Sequence, residues 1–158
     1  MTTSQHSLPQ SERINSKKTI DRLFKGGGSK AMTASPLRVV YMADKRDGDS
    51  REPLAQMMVS VPKRYFKRAV KRNRIKRQVR EAYRLNKQLL TQTLAEQGTR
   101  TVHMCFIWTA DRMLATQEVE QRMKSLLTRL GEKMAEAERT ERKECAAEGS
   151  EARNEESV

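Results

Sequence analysis

Apolar positions recur along the chain with two periods, and their succession parses it into seven elements. Ile20, Leu23 and Phe24 share one side of a helix that Asn15 or Ser16 can cap and that runs to Lys25, where the run Gly26-Gly27-Gly28 stops it. Three strand-like segments follow: a short one at 30–34, a firmer one over Leu37–Met42 and a third over Leu54–Val61, with a charged loop or hairpin end between the last two. Residues 62–87 read as a second helix. At 100° per residue, Ile75, Val79, Ala82, Tyr83 and Leu90 fall on one arc, while Asn73, Arg74, Lys76, Arg77, Arg80 and Arg84 fall on the opposite one. That helix is expected to continue to Leu90 or Leu94 and to stop before Gly98. Val70 alone projects toward the basic side, and its expected place is the first turn, under cover of the entering chain.

The run Val102–Thr109 is the most strand-like in the chain. Val102, Met104, Phe106 and Trp108 lie on one face and His103, Cys105 and Ile107 on the other, so both faces are covered and the strand belongs in the middle of its sheet. A last helix opens near Thr116 with Glu118 in its first turn, and Val119, Met123, Leu126, Leu127, Leu130 and Met134 form its core stripe. The order αβββαβα places the chain in the α+β class, or in a split α/β arrangement. The periodic region spans residues 14–134 and makes one domain. Residues 1–13 are polar, contain Pro9 and read as a mobile arm. From Ala135 onward no Leu, Ile or Phe remains, so 135–158 is expected to be an acidic, disordered tail; a helix could persist to Ala147, but nothing there would bury it.

Charge changes this picture from a fold to a function class. The formal net charge is +12 and the sequence pI about 10.1. Residues 134–158 hold eight Glu against four basic residues, which leaves +16 on residues 1–133. Between Lys63 and Arg80 stand ten Lys or Arg in eighteen positions, with no Asp or Glu. Three or four exposed cations make an ordinary solvated face, but ten uncompensated ones call for a polyanion. Asn73 between Arg72 and Arg74 sharpens the choice: guanidiniums fork onto phosphate oxygens, while an amide both donates to and accepts from a base edge or ribose hydroxyl. An anionic membrane is a poor alternative, because the longest nearly apolar run covers only residues 102–108 and a span needs about 20. With no apolar stretch after its start, the chain is expected in the cytoplasm, with Cys105 and Cys145 reduced.

Chemistry of its own is hard to find in the chain. "KGGGSK" at 25–30 does not meet the phosphate-loop pattern and follows no strand. His103 and Cys105 share a strand face, but the only other histidine is His6 in the arm and Cys145 lies in the polar tail, so no zinc set of four is expected, and the carboxylates collect in the loop at 44–52 and in the tail. No catalytic residue and no metal or cofactor site is assigned, and the sequence describes a binder.

At the basic helix the resemblance to a known family becomes specific. Arg72-Asn73-Arg74, then Ile75-Lys76-Arg77 and Arg80-Glu81-Ala82-Tyr83, preceded by Ala69-Val70 and by 59–64 "VSVPKR", resemble the signature of the protein subunit of bacterial ribonuclease P, over about residues 14–134. The resemblance implies a two-layer α/β sandwich with a four-stranded sheet and a left-handed crossover into the last strand, against the usual rule. It further implies an endoribonuclease whose catalysis and Mg2+ belong to the RNA subunit, with the protein contributing affinity and positioning in removal of the 5′ leader of precursor tRNA. Two surfaces are implied: Arg72, Asn73, Arg74, Lys76, Arg77, Arg80 and Arg84 toward the catalytic RNA, and a cleft between the first helix and the sheet for the single-stranded leader, lined by Phe24 and Tyr41 with Lys63 and Arg64 at its edge. Ile20 stands where the family commonly has a second cleft aromatic, and 110–112 "ADR" lacks a frequent adjacent basic pair. The link Tyr65-Phe66-Lys67-Arg68 is one residue longer than usual and lacks a glycine, leaving Tyr65 and Phe66 as either stacking platforms or core. Two rivals remain: a ribosomal or general RNA-binding module, which only the motif string opposes, and a basic-helix DNA binder, which lacks a zipper to pair two such helices.

Overall fold

The two-sided apolar run that starts at Leu37 becomes the second strand of a mixed four-stranded sheet in the computed structural model, which describes residues 8–25, 27–45, 53–97 and 100–156. The elements are α1 (Lys17–Lys25), β1 (Lys30–Ala34), β2 (Leu37–Lys45), β3 (Ala55–Ser60), α2 (Ala69–Asn86), α3 (Gln88–Gln97), β4 (Arg100–Trp108) and α4 (Thr116–Glu156). Expectations for residues 1–7, for most of the 44–53 loop and for Gly98 fall outside the described residues. The sheet order is β1-β2-β4-β3; β1 and β4 pair antiparallel with β2, and β3 runs parallel to β4. A parallel neighbour cannot be reached by a tight turn, which is why α2 and α3 carry the chain from β3 to β4.

Each face of the sheet meets a different layer. Leu37, Val39 and Tyr41 of β2, Met57 of β3 and Val102, Met104, Phe106 and Trp108 of β4 form the main core with Ile75, Val79 and Tyr83 of α2, Leu90 and Leu94 of α3, and the whole α4 stripe from Val119 to Met134. The opposite face packs Val40, Met42 and Cys105 under Leu23 of α1, with Ile14 alongside and Ile20, Met58 and Ile107 at the margin. Burying a Leu or Phe side chain stabilises by about 1.5–3 kcal/mol, so the larger layer carries most of the stability and α1 is a lighter cover.

Four local features depart from the sequence reading. The basic helix starts at Ala69, not after Pro62, because Tyr65 N–H donates to the Pro62 carbonyl in a turn and the Arg72 guanidinium donates to the carbonyls of Phe66 and Lys67, holding 63–68 out of helical register. It also ends early. Asn86 turns its amide back onto the Ala82 carbonyl, a local bond that competes with the helix, and Leu90 and Leu94 belong to the separate α3. Val70 does occupy the first turn, but it is 78 % exposed rather than covered. Finally, the expected disordered tail is helical through Glu156. Met134 and Glu138 are buried, and Arg100 at the start of β4 pairs with Glu138 and Glu141, so charge rather than apolar area fixes the extension against the domain.

The residues before α1 are also more ordered than expected. Gln10–Glu12 form a 3-10 turn, Arg13 bridges to Met57, and Ile14 N–H donates to the Met57 carbonyl at 3.0 Å. Glu12 meets Lys87 Nζ at 2.9 Å in a largely buried pair that ties this segment to the junction of α2 and α3.

Candidate nucleic-acid interface

On α2 the apolar arc is buried as the periodicity requires: Ile75, Val79, Ala82 and Tyr83 point inward. Tyr83 stacks its ring at a tilt against Phe106, with centroids 5.9 Å apart, and burial, followed by the Glu12 charge, pushes its phenol well above the ordinary range. The basic arc consequently faces outward, but its members are not equivalent. Asn73, Arg74 and Arg77 are exposed, and Lys76, Arg80 and Arg84 are half-buried. Arg72 spends one guanidinium nitrogen on two loop carbonyls, each at 2.8 Å, so it serves the loop as well as any ligand. Arg84 holds Glu81 one turn back through Nε at 3.0 Å and through a second, shorter contact. The single acid of α2 is thereby neutralised, and Arg74, Arg77 and Arg80 keep their charge for something else.

A groove of about 950 Å3 runs beside these side chains. Its opposite wall is the loop 113–116, which Gln78 fastens to the helix by donating to the Leu114 carbonyl at 2.9 Å and to Thr116 Oγ1 at 3.3 Å. Leu8 and Arg13 also line it. Burial, and then the positive charges of Arg13 and Arg77, hold the Arg80 guanidinium below its ordinary value. Arg13 was assigned to a polar arm in the sequence reading; the only signal that could have placed it here was Ile14 beside it, an isolated apolar residue that anchors the segment to β3.

The second expected surface assembles only in part. Phe24 stands at the end of α1, 51 % exposed, one turn after half-buried Ile20, and is free to meet a ligand. Tyr41 is not its partner. In the sheet Tyr41 faces the α4 core at 3 % exposure, while its neighbours Val40 and Met42 face α1, so it does not line a cleft under α1. Strand alternation is the physical reason: adjacent residues point to opposite faces, and a run apolar on both faces hides which is which. The half-buried floor beside α1 is instead Met58, Ile107 and Ile20, with exposed Arg38 opposite Ile107 in the register. Lys63 and Arg64 are exposed in the turn that follows β3, at the end of the sheet marked by the Leu37–Trp108 pair. Arg64 covers the half-buried Tyr65 ring at 4.8 Å, whereas Phe66 is buried, which resolves that alternative in favour of core for Phe66.

One cluster fixes α1 over this face. Arg22 grips Asp44 of β2 with two bonds, at 3.1 and 2.6 Å, and His103 Nε2 of β4 approaches the same carboxylate at 3.2 Å. The hydrogen bond from Arg22 is the main cause that holds the Asp44 carboxyl below the usual carboxylate range. Cys105, enclosed beneath α1, has its thiol pushed up to about 12 by burial and stays protonated.

Comparison with known proteins bears directly on this arrangement. The family model described as Ribonuclease P matches residues 8–131. The chain belongs to the ribonuclease P protein family. Among its relatives, a ribonuclease P protein component of Porphyromonas gingivalis is 42 % identical over 123 residues, covering 78 % of this chain and 85 % of the relative. One from Chlorobaculum tepidum is 35 % identical over 108 residues, covering 66 % and 69 % respectively. The solved ribonuclease P protein of Thermotoga maritima superposes with a TM-score of 0.57 at 19 % identity over 75 % of this chain and 96 % of that one, a likeness of fold. The family match begins at Leu8, so it takes in the 3-10 turn and Arg13 along with the domain. No helix among the described residues is long and apolar enough to cross a membrane.

Proposed function

We propose that the chain works as the protein component of ribonuclease P in tRNA processing, binding an RNA subunit that carries out the cleavage and holds its Mg2+, and helping it to engage the 5′ leader of precursor tRNA in the cytoplasm. The observation that carries this reading is the outward arc of Arg74, Arg77 and Arg80 on α2, beside a groove whose one acid among the described residues, Glu81, is already bound by Arg84, in a chain of this family. Such an arc neutralises phosphates and releases their counterions, the main source of affinity for RNA. The exposed Phe24 ring beside the Met58 and Ile107 floor suits an unpaired strand, since a base stacked on an aromatic contributes about 1–3 kcal/mol whatever its sequence. Lys63 and Arg64 supply cations at the far end of that face.

Reconstitution tests the proposal. Purified chain added to its cognate RNA and a precursor tRNA at low magnesium should raise the rate of leader removal, while the chain freed of RNA should cut nothing. Cleavage by RNA-free protein would overturn it. Binding to the RNA with no effect on cleavage would favour the general RNA-binding module instead.

A further inference from the structure

The groove beside α2 has a composition that a phosphate-binding face alone does not require. Its lining brings cations, Arg77 and Arg80 on α2 with Arg13 from the segment before α1, together with the apolar side chains of Leu8, Met113 and Leu114. A volume of about 950 Å3 lies within the range of clefts that enclose small ligands, roughly 300–1,000 Å3. The apolar lining is held in place, because the Gln78 amide bonds to the Leu114 carbonyl and Thr116 hydroxyl. The cationic lining is in excess. Glu81 is engaged by Arg84, and burial, followed by the charges of Arg13 and Arg77, already lowers the affinity of Arg80 for its proton.

We propose that this groove takes one unpaired nucleotide of an RNA, its base against Leu8, Met113 and Leu114 and its phosphate between Arg13 and Arg80. The inference rests on the RNA-binding role argued above and assigns it a subsite. A continuous duplex presents phosphates on a convex surface and keeps its base faces stacked, so it would use the arginines and leave the apolar lining idle. An unpaired nucleotide offers both an anion and an apolar plane, the two chemistries that line this groove. Arg13 thereby acquires a role beside the α2 arginines, reaching the groove from the segment before α1.

The test compares three probes of equal length at low salt: a single-stranded oligoribonucleotide, the same backbone without bases, and an RNA duplex, each alongside the full catalytic RNA. Met113→Ser is expected to lower affinity for the base-bearing strand about fivefold or more while leaving the abasic strand and the duplex unchanged. Arg13→Ala should weaken both single strands and reduce the slope of log K against log salt by about 0.7–0.9, one phosphate's worth. Melting temperatures accompany each variant; if Met113→Ser does not fold, Leu8→Ser carries the base-specific arm. Unchanged affinity for every probe in these variants, or equal losses on base-bearing and abasic strands in the apolar ones, would overturn the subsite. If wild type still binds the catalytic RNA with a steep salt dependence, the subsite alone falls; if wild type binds no RNA at all, the broader reading falls with it.

Discussion

Truncating the Phe24 ring tests the proposed leader contact separately from folding. The side chain is 51 % exposed, so roughly half of the ~1.5–3 kcal/mol that burial of such a side chain contributes is at stake, about 1 kcal/mol. For a domain of this size that corresponds to a fall in melting temperature of about 4 °C. Against a precursor tRNA whose leader stacks on the ring, Phe24→Ala should lose about 1–3 kcal/mol of binding, a roughly 5- to 150-fold weaker Kd, and against mature tRNA almost nothing. Equilibrium binding to the two tRNAs in the presence of the RNA subunit reads the difference. Tyr41→Ala supplies the contrast: that ring lies in the core on the other sheet face, so its loss should cost about 3–5 kcal/mol of stability and weaken both tRNAs alike. Equal losses for the two tRNAs in Phe24→Ala would refute the reasoning, as would a melting temperature lowered as far as in Tyr41→Ala.

Arg74→Ala with Arg77→Ala should flatten the salt dependence of RNA binding by about 1.4–1.8 in log–log slope and leave thermal stability nearly unchanged, because both side chains are exposed; a steep slope in the double variant contradicts their assignment. Arg72→Ala, by contrast, should lower the melting temperature measurably in calorimetry, since it frees the carbonyls of Phe66 and Lys67. Acid should loosen α1 before the core. The Asp44 carboxyl is depressed in the folded chain, so its contribution is full above the unfolded carboxylate value of about 3.9 and is lost as pH falls through the folded one; amide protection factors of α1, corrected for intrinsic exchange and followed from above that value to below it, should show this, and Asp44→Asn should abolish the dependence. Arg100→Ala should speed amide exchange in α4 beyond residue 138 while the β4 amides stay protected; unchanged exchange there would mean that the ion pairs do not hold the extension.

Elements with a single buried face were legible from residue order alone. The α4 stripe and the arc of Ile75, Val79, Ala82 and Tyr83 announce themselves because only one orientation removes them from water. The two-faced β2 run is different: Val39 to Met42 are all apolar, so period two cannot say which face each joins, and Tyr41 was assigned to the wrong one. A helix persisting to Ala147 is legible after Met134, but its anchoring is not, because Arg100 holds it by charge from a strand distant in sequence. Arg13 escaped for a related reason. Its position depends on a backbone bridge to Met57, and backbone pairing leaves no trace in the identity of the side chain it displaces.

The bond from Ile14 to Met57, with Gln56 Nε2 donating to the Ser11 carbonyl at 3.0 Å, bears on solubility as well. β3 is an outer strand of the sheet, and an outer strand with free N–H and C=O groups is a template for pairing with another chain. The segment before α1 lies along that rim and occupies part of it. At the other rim β1 is only five residues long and begins with an exposed lysine, features that discourage a neighbour from adding on. Removing residues 8–14 would therefore do more than delete Arg13: it would uncover β3 as a sticky edge, and light scattering should find the shortened chain self-associating more readily than the intact one.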